Sequence, residues 1–92
     1  MIYDPVKDEL FTASRGQGAQ LNGHRMRVND RKDLNGALLS TGIPFREDQD
    51  LDLFIQTMRC LIPDTAGIRR PGSAALDLAY VAAGRFDGFW EF

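Results

Sequence analysis

The stretch Ala74-Ala75-Leu76-Asp77-Leu78-Ala79-Tyr80-Val81-Ala82-Ala83 carries one charge, at Asp77, and is apolar on nearly every face of a helix. A helix of that kind has to be covered on both sides. One glycine later comes Phe86-Asp87-Gly88-Phe89-Trp90-Glu91-Phe92, which reads as a strand. Alternation sets Phe86, Gly88, Trp90 and Phe92 on one face and Asp87, Phe89 and Glu91 on the other. Both faces carry aromatics, so the strand too is expected to be sandwiched. Together these two segments demand a layered fold and leave little room for any other.

The residues before them supply the layers. Ala37–Thr41 is a short apolar run closed by Gly42 and Pro44, as in a buried strand. Leu51, Phe54, Ile55, Met58, Leu61 and Ile62 recur at helical spacing, with Asp48 as the expected N-cap and Pro63 as the stop. Ile68 and its neighbours form another strand. Ser73 caps the apolar helix and Gly84 ends it. Strand, helix, strand, helix, strand is the order of a layered α/β unit with parallel pairing.

The amino-terminal third has a different texture. Met1–Tyr3 and Glu9–Ser14 read as strands joined through the turn Asp4-Pro5-Val6-Lys7-Asp8. Gly18–Leu21 and Arg25–Val28 form a second hairpin around Asn22-Gly23, a pair suited to a tight turn. The division expected is therefore antiparallel hairpins over residues 1–36, with the polar linker Asn29–Gly36 at their end, and an α/β part over residues 37–92.

Composition excludes several functions. A net charge of −2 and scattered Lys and Arg argue against broad nucleic-acid or anionic-membrane binding. No apolar run approaches the roughly 20 residues that span a bilayer. A single cysteine, Cys60, cannot form an internal disulfide, so a reducing cytoplasm is the default location and Cys60 is expected to be a buried small hydrophobe. One Cys and one His make no zinc site, and His24 lies in a surface turn. Pro71-Gly72-Ser73-Ala74-Ala75 lacks the second glycine of a nucleophile elbow. The Asp4–Asp8 turn continues into Glu9-Leu10, without the glycine and hydroxyl residue of a metal loop.

Two places invite a ligand. At Arg69-Arg70-Pro71-Gly72-Ser73-Ala74 a helix N-terminus presents backbone N–H groups and positive potential beside two guanidinium groups. Gly72 allows close approach to the backbone, and the corner can hold a phosphate or a hydroxyl-rich molecule. The plain alternative is an ordinary strand-to-helix turn with solvated arginines. Glu91, on an otherwise apolar strand end, is expected either to face a ligand or to pair with one of those arginines.

Thr12-Ala13-Ser14-Arg15-Gly16-Gln17-Gly18-Ala19-Gln20-Leu21-Asn22-Gly23, with Arg25-Met26-Arg27-Val28-Asn29 after it, resembles a hairpin of the inositol monophosphatase family. The run from Ile68 to Glu91 is similar to the bacterial inositol-1-monophosphatases. The resemblance extends over essentially the whole chain. It implies the fructose-1,6-bisphosphatase/inositol monophosphatase-like sandwich, a homodimer, and a Mg²⁺-dependent phosphatase acting on inositol monophosphate. In that family Gly72, Ser73 and Ala74 would offer backbone groups to the substrate, Glu91 would accept hydrogen bonds from inositol hydroxyls, and Arg69 would contact substrate.

The family's metal ligands have no counterpart here: an upstream glutamate, the Asp-Pro-x-Asp-Gly-Thr loop and a Trp-Asp pair are all absent. Trp90 is followed by Glu91 and Phe92 instead. The chain thus reads as the middle of such an enzyme. It is expected to hold no complete family domain, no catalytic residue and no metal ligand, with the Mg²⁺ ligands outside it, and to be inactive alone. Rival expectations are a non-catalytic regulatory module, since some bacterial members are implicated in RNA-related regulation, and a sister phosphatase acting on another sugar or nucleotide phosphate.

Overall fold

The computed structural model describes residues 1–43 and 50–91. Four strands, β1 (Ile2–Asp4), β2 (Glu9–Ser14), β3 (Gly18–Leu21) and β4 (His24–Arg25), form an antiparallel sheet in sequential order. The Asp4 carboxylate explains the first turn: its Oδ1 accepts from the Val6 and Lys7 N–H groups at 3.0 and 3.4 Å. Asn22 and Gly23 both take positive φ, 50° and 81°, the conformation that a two-residue hairpin turn asks for. The strand expected over Arg25–Val28 is shorter and earlier, at His24–Arg25. Beyond it, Met26 N–H donates once to Ala19 O and regular pairing stops.

The second sheet is parallel. Its strands are β5 (Leu38–Thr41), β6 (Gly67–Arg69) and β7 (Gly88–Trp90), in the order β6-β5-β7. Helix α1 (Leu51–Leu61), with a 3₁₀ turn at Ile62–Asp64, connects β5 to β6. Helix α2 (Ala74–Ala82) connects β6 to β7, carrying the chain back across β5. Successive right-handed crossovers in opposite directions place their helices on opposite faces of a sheet. Accordingly α1 packs through Phe54 on Trp90, while α2 contacts β5 and β7 on one side and β1 of the antiparallel sheet on the other. The layers are antiparallel sheet, α2, parallel sheet, α1.

Several expectations are corrected at this level. Asp48 lies outside the described residues, and Asp50 caps α1 with its carboxylate accepting from Leu53 N–H at 2.9 Å. Cys60 is exposed, because it sits one residue off the apolar stripe that includes Phe54, Met58 and Leu61. The last strand starts at Gly88; Phe86 and Asp87 precede it, and Phe92 lies outside the described residues. Ser73 caps α2 as expected, its Oγ accepting from Leu76 N–H at 3.4 Å. Gly84 follows the helix where the linker begins: a side chain there would start 2.9 Å from Asn29 Oδ1 and 3.0 Å from Arg27 O.

Asp87 joins linker to sheet. Its Oδ2 accepts from Leu38 N–H at 2.8 Å and its Oδ1 from the Asn29 amide at 2.7 Å. Arg31 adds an ion pair at 3.3 Å. The polar segment between the sheets is therefore fastened to the N-terminal edge of the parallel sheet.

Much apolar surface is left open. The chain exposes 6626 Å², against about 5,400 Å² for a compact protein of its mass. Leu78 of α2 is 56% exposed, and Leu51, Leu53 and Ile55 of α1 also face outward. The full coverage expected for α2 is thus met on its two sheet-facing sides and not around Leu78. Among the described residues no helix is long and apolar enough to cross a membrane.

Candidate substrate-binding edge

All three parallel strands end on one edge. β5 ends at Thr41 and runs into Gly42, β6 ends at Arg69, and β7 ends at Trp90 and runs into Glu91. The connections leaving the central strand β5 and its neighbour β6 run in opposite directions, which makes this edge a topological switch point. Such points, outside the carboxyl ends of strands, are where open α/β sheets open a crevice. Residues separated by 49 positions in sequence, Gly42 and Glu91, become neighbours here.

The α2 tip forms one wall. Gly72 has φ +99°, a conformation that side-chain-bearing residues rarely adopt, and it turns the chain from β6 into the helix. Ser73 Oγ takes the Leu76 N–H, and Ser73 O takes the Asp77 N–H at 2.9 Å. The N–H groups of Ala74 and Ala75 then have no acceptor within the helix, as in any first turn, and the helix dipole adds positive potential. Gly72 is exposed, and Ser73 and Ala74 are half-buried.

The expected arginines are divided. Arg69 turns back along its own strand, its Nη1 3.2 Å from where a Gly67 side chain would begin. The Arg70 guanidinium lies 4.0 Å from the corresponding point of Gly72. Among the described residues neither arginine forms a salt bridge with Glu91. The simple pairing weighed for Glu91 is therefore not what holds it. Glu91 is exposed at the edge, with its carboxylate folded toward Gly42.

Two further residues belong to this edge. Asp77 is only 2% exposed, and its Oδ1 has no hydrogen-bond partner among the described residues. Burial raises its carboxyl above the usual aspartate range, and repulsion from the nearby Glu91 charge adds to the rise. Its signal in the sequence was its isolation as the one charge on an apolar helix. Thr41, also buried, donates from Oγ1 to Trp90 O at 2.9 Å and ties the ends of β5 and β7 together. Gly42 gave no signal beyond ending a strand.

Among the described residues no three of His, Cys, Asp and Glu come together as metal donors. Among the described residues Asp77 and Glu91 are two carboxylates at the edge without a third, so these two do not by themselves make a Mg²⁺ centre.

The fold that carries this edge has close counterparts. The chain matches the inositol monophosphatase family over residues 1–92. It belongs to that family. It is 62% identical to the Nus factor SuhB of Pseudomonas aeruginosa, over 100% of this chain and 35% of that protein. Among solved structures, the extragenic suppressor protein SuhB of Bartonella henselae superposes with a TM-score of 0.89 at 49% identity, over 97% of this chain and 34% of that one. The inositol monophosphatase of Anabaena (Nostoc) sp. PCC 7120 superposes with a TM-score of 0.80 at 44% identity, over 98% of this chain and 37% of that one. The two sheets and two helices are thus a segment of the α/β sandwich of the fructose-1,6-bisphosphatase/inositol monophosphatase superfamily. The chain spans about a third of the length of the curated relatives it matches.

Proposed function

We propose that the chain forms the polyol-facing wall of a phosphomonoesterase that hydrolyses myo-inositol monophosphate to inositol and phosphate. The observation that carries this reading is that α2 starts and Glu91 stands at the same edge of the parallel sheet, with Glu91 near enough to Asp77 of α2 for their charges to repel. In this reading the N–H groups at Ser73 and Ala74 donate to substrate oxygens, with Gly72 keeping the approach clear. Glu91, exposed at the edge, accepts hydrogen bonds from ring hydroxyls, and bonds to a carboxylate give orientation as well as affinity. Arg69 swings from its strand to the ligand. Mg²⁺, held by donors outside these residues, would supply activation of water and stabilisation of the leaving oxygen. A homodimer in the cytoplasm is the setting this reading carries.

Two measurements test it. The 92-residue chain alone is expected to show no Mg²⁺-dependent phosphatase turnover, and measurable turnover would refute the division of labour. In a chimaera where these residues replace the matching third of the Anabaena inositol monophosphatase, Glu91→Gln is expected to raise KM for inositol 1-phosphate about tenfold, the loss of one charged hydrogen bond. KM for p-nitrophenyl phosphate, which has no ring hydroxyls to read, should not move.

A second reading has one observation in its favour: the relatives at 48–62% identity carry the name Nus factor SuhB. A non-catalytic interaction module of the same fold would fit that name. An inactive but folded chimaera would favour it over the phosphatase.

A further inference from the structure

The Glu91 carboxylate occupies space that only a glycine at position 42 leaves free. Glu91 Oε2 lies 2.7 Å from the point where a side chain at Gly42 would place its first carbon. Glu91 Cβ and Cδ lie 3.6 and 3.8 Å from the same point. The backbone does not ask for glycine there, since Gly42 is not among the glycines with positive φ. The requirement comes from Glu91. Two neighbours also bear on where this exposed carboxylate lies. Thr41 Oγ1, one residue before Gly42, holds Trp90 O at 2.9 Å and so fixes the chain from which Glu91 projects. Asp77 is buried on the α2 side, close enough for its charge and that of Glu91 to repel.

We propose that Gly42 is a positioning residue that sets specificity for the polyol: by lacking a side chain it leaves the slot in which the Glu91 carboxylate lies at the open edge. This rests on the reading of Glu91 as the acceptor for ring hydroxyls. A methyl group at position 42 meets the far end of a flexible side chain rather than backbone. Gly42→Ala therefore moves the carboxylate at little cost to the fold.

In the Anabaena chimaera Gly42→Ala is expected to raise KM for inositol 1-phosphate about tenfold, with kcat little changed, as for loss of uniform binding. KM for p-nitrophenyl phosphate stays the same, a split that general loosening of the fold would not produce. Adding Glu91→Asp, one methylene shorter, recovers part of the loss. If Glu91→Gln raises KM and Gly42→Ala does not, the inference about Gly42 falls alone. If the chimaera is active and Glu91→Gln leaves KM unchanged, both readings fall. A direct measurement is available in the 92-residue chain itself. The ¹³C resonance of the Glu91 side-chain carboxyl should shift on Gly42→Ala, and an unmoved resonance overturns the proposal whatever the chimaera does.

Discussion

Phe54→Ala costs the chain about 3 kcal/mol, near the lower end for deletion of a buried ring, and releases α1 from the parallel sheet. Phe54 is the only residue of α1 that is fully buried, at 3% exposure. Its ring stacks on Trp90 with centroids 5.9 Å apart and planes 26° from parallel. The other large apolar residues at the start of the helix, Leu51, Leu53 and Ile55, are 44–50% exposed and bury far less. An eleven-residue helix has little stability of its own in water, so its order depends on buried contacts such as this one. Trp90 is the only tryptophan in the chain, and its fluorescence reports the contact directly. Urea titration followed by Trp90 emission and by helical circular dichroism should show both signals changing at lower denaturant in the variant. Unaltered Trp90 emission and midpoint would mean that α1 is held elsewhere.

Asp87→Ala is expected to cost about 2 kcal/mol, because it leaves the Leu38 N–H without its acceptor and removes the anchor for Asn29 and Arg31. The same carboxylate makes stability depend on pH. The Leu38 N–H and the Asn29 amide hold its pKa below the usual aspartate range, and the Arg31 charge lowers it further. A group whose folded pKa is depressed contributes stability above its unfolded value, near 4, and the contribution is lost as pH falls through the folded value. The thermal midpoint of the unmodified chain should therefore fall more steeply below about pH 4 than that of Asp87→Ala. Glu9, lowered by its pairing with Arg85, titrates in the same window in both proteins, so the difference between the two curves isolates Asp87. Curves of the same shape, merely offset, would refute the assignment.

Local signals were legible without coordinates. Ser73 as a cap, Gly84 as a stop and Asn22-Gly23 as a hairpin turn all act within a few residues, and each is found in that role. The Asp4–Asp8 turn was legible for the same reason, since the Asp4 side chain bonds N–H groups two and three residues on. Cys60 is exposed where its residue type favours burial, because helical phase decides: its neighbour Arg59 is exposed as well, and the stripe passes through Met58 and Leu61. The coverage of α2 falls short around Leu78 because an apolar sequence states what a helix needs, not what lies within 92 residues to meet it.

At the edge, Arg69, Gly72, Ser73, Ala74 and Glu91 stood out through an unusual residue type in their setting, and the family resemblance set all five around one substrate. Which neighbours each of them meets was not legible. Nothing near position 42 announces that Glu91 will lie against it, and nothing near Asp87 announces the Leu38 N–H.

From sequence alone came the periodicities, the turns, the caps and the strand–helix alternation, because hydrophobic spacing and backbone preference act over a turn or two of chain. The strand order β6-β5-β7, the slot for Glu91 and the three-sided hold on Asp87 were decided only by the tertiary structure. Those features depend on which residues dozens of positions apart are brought within 3–4 Å, and only the crossing of β5 by the return through α2 determines that.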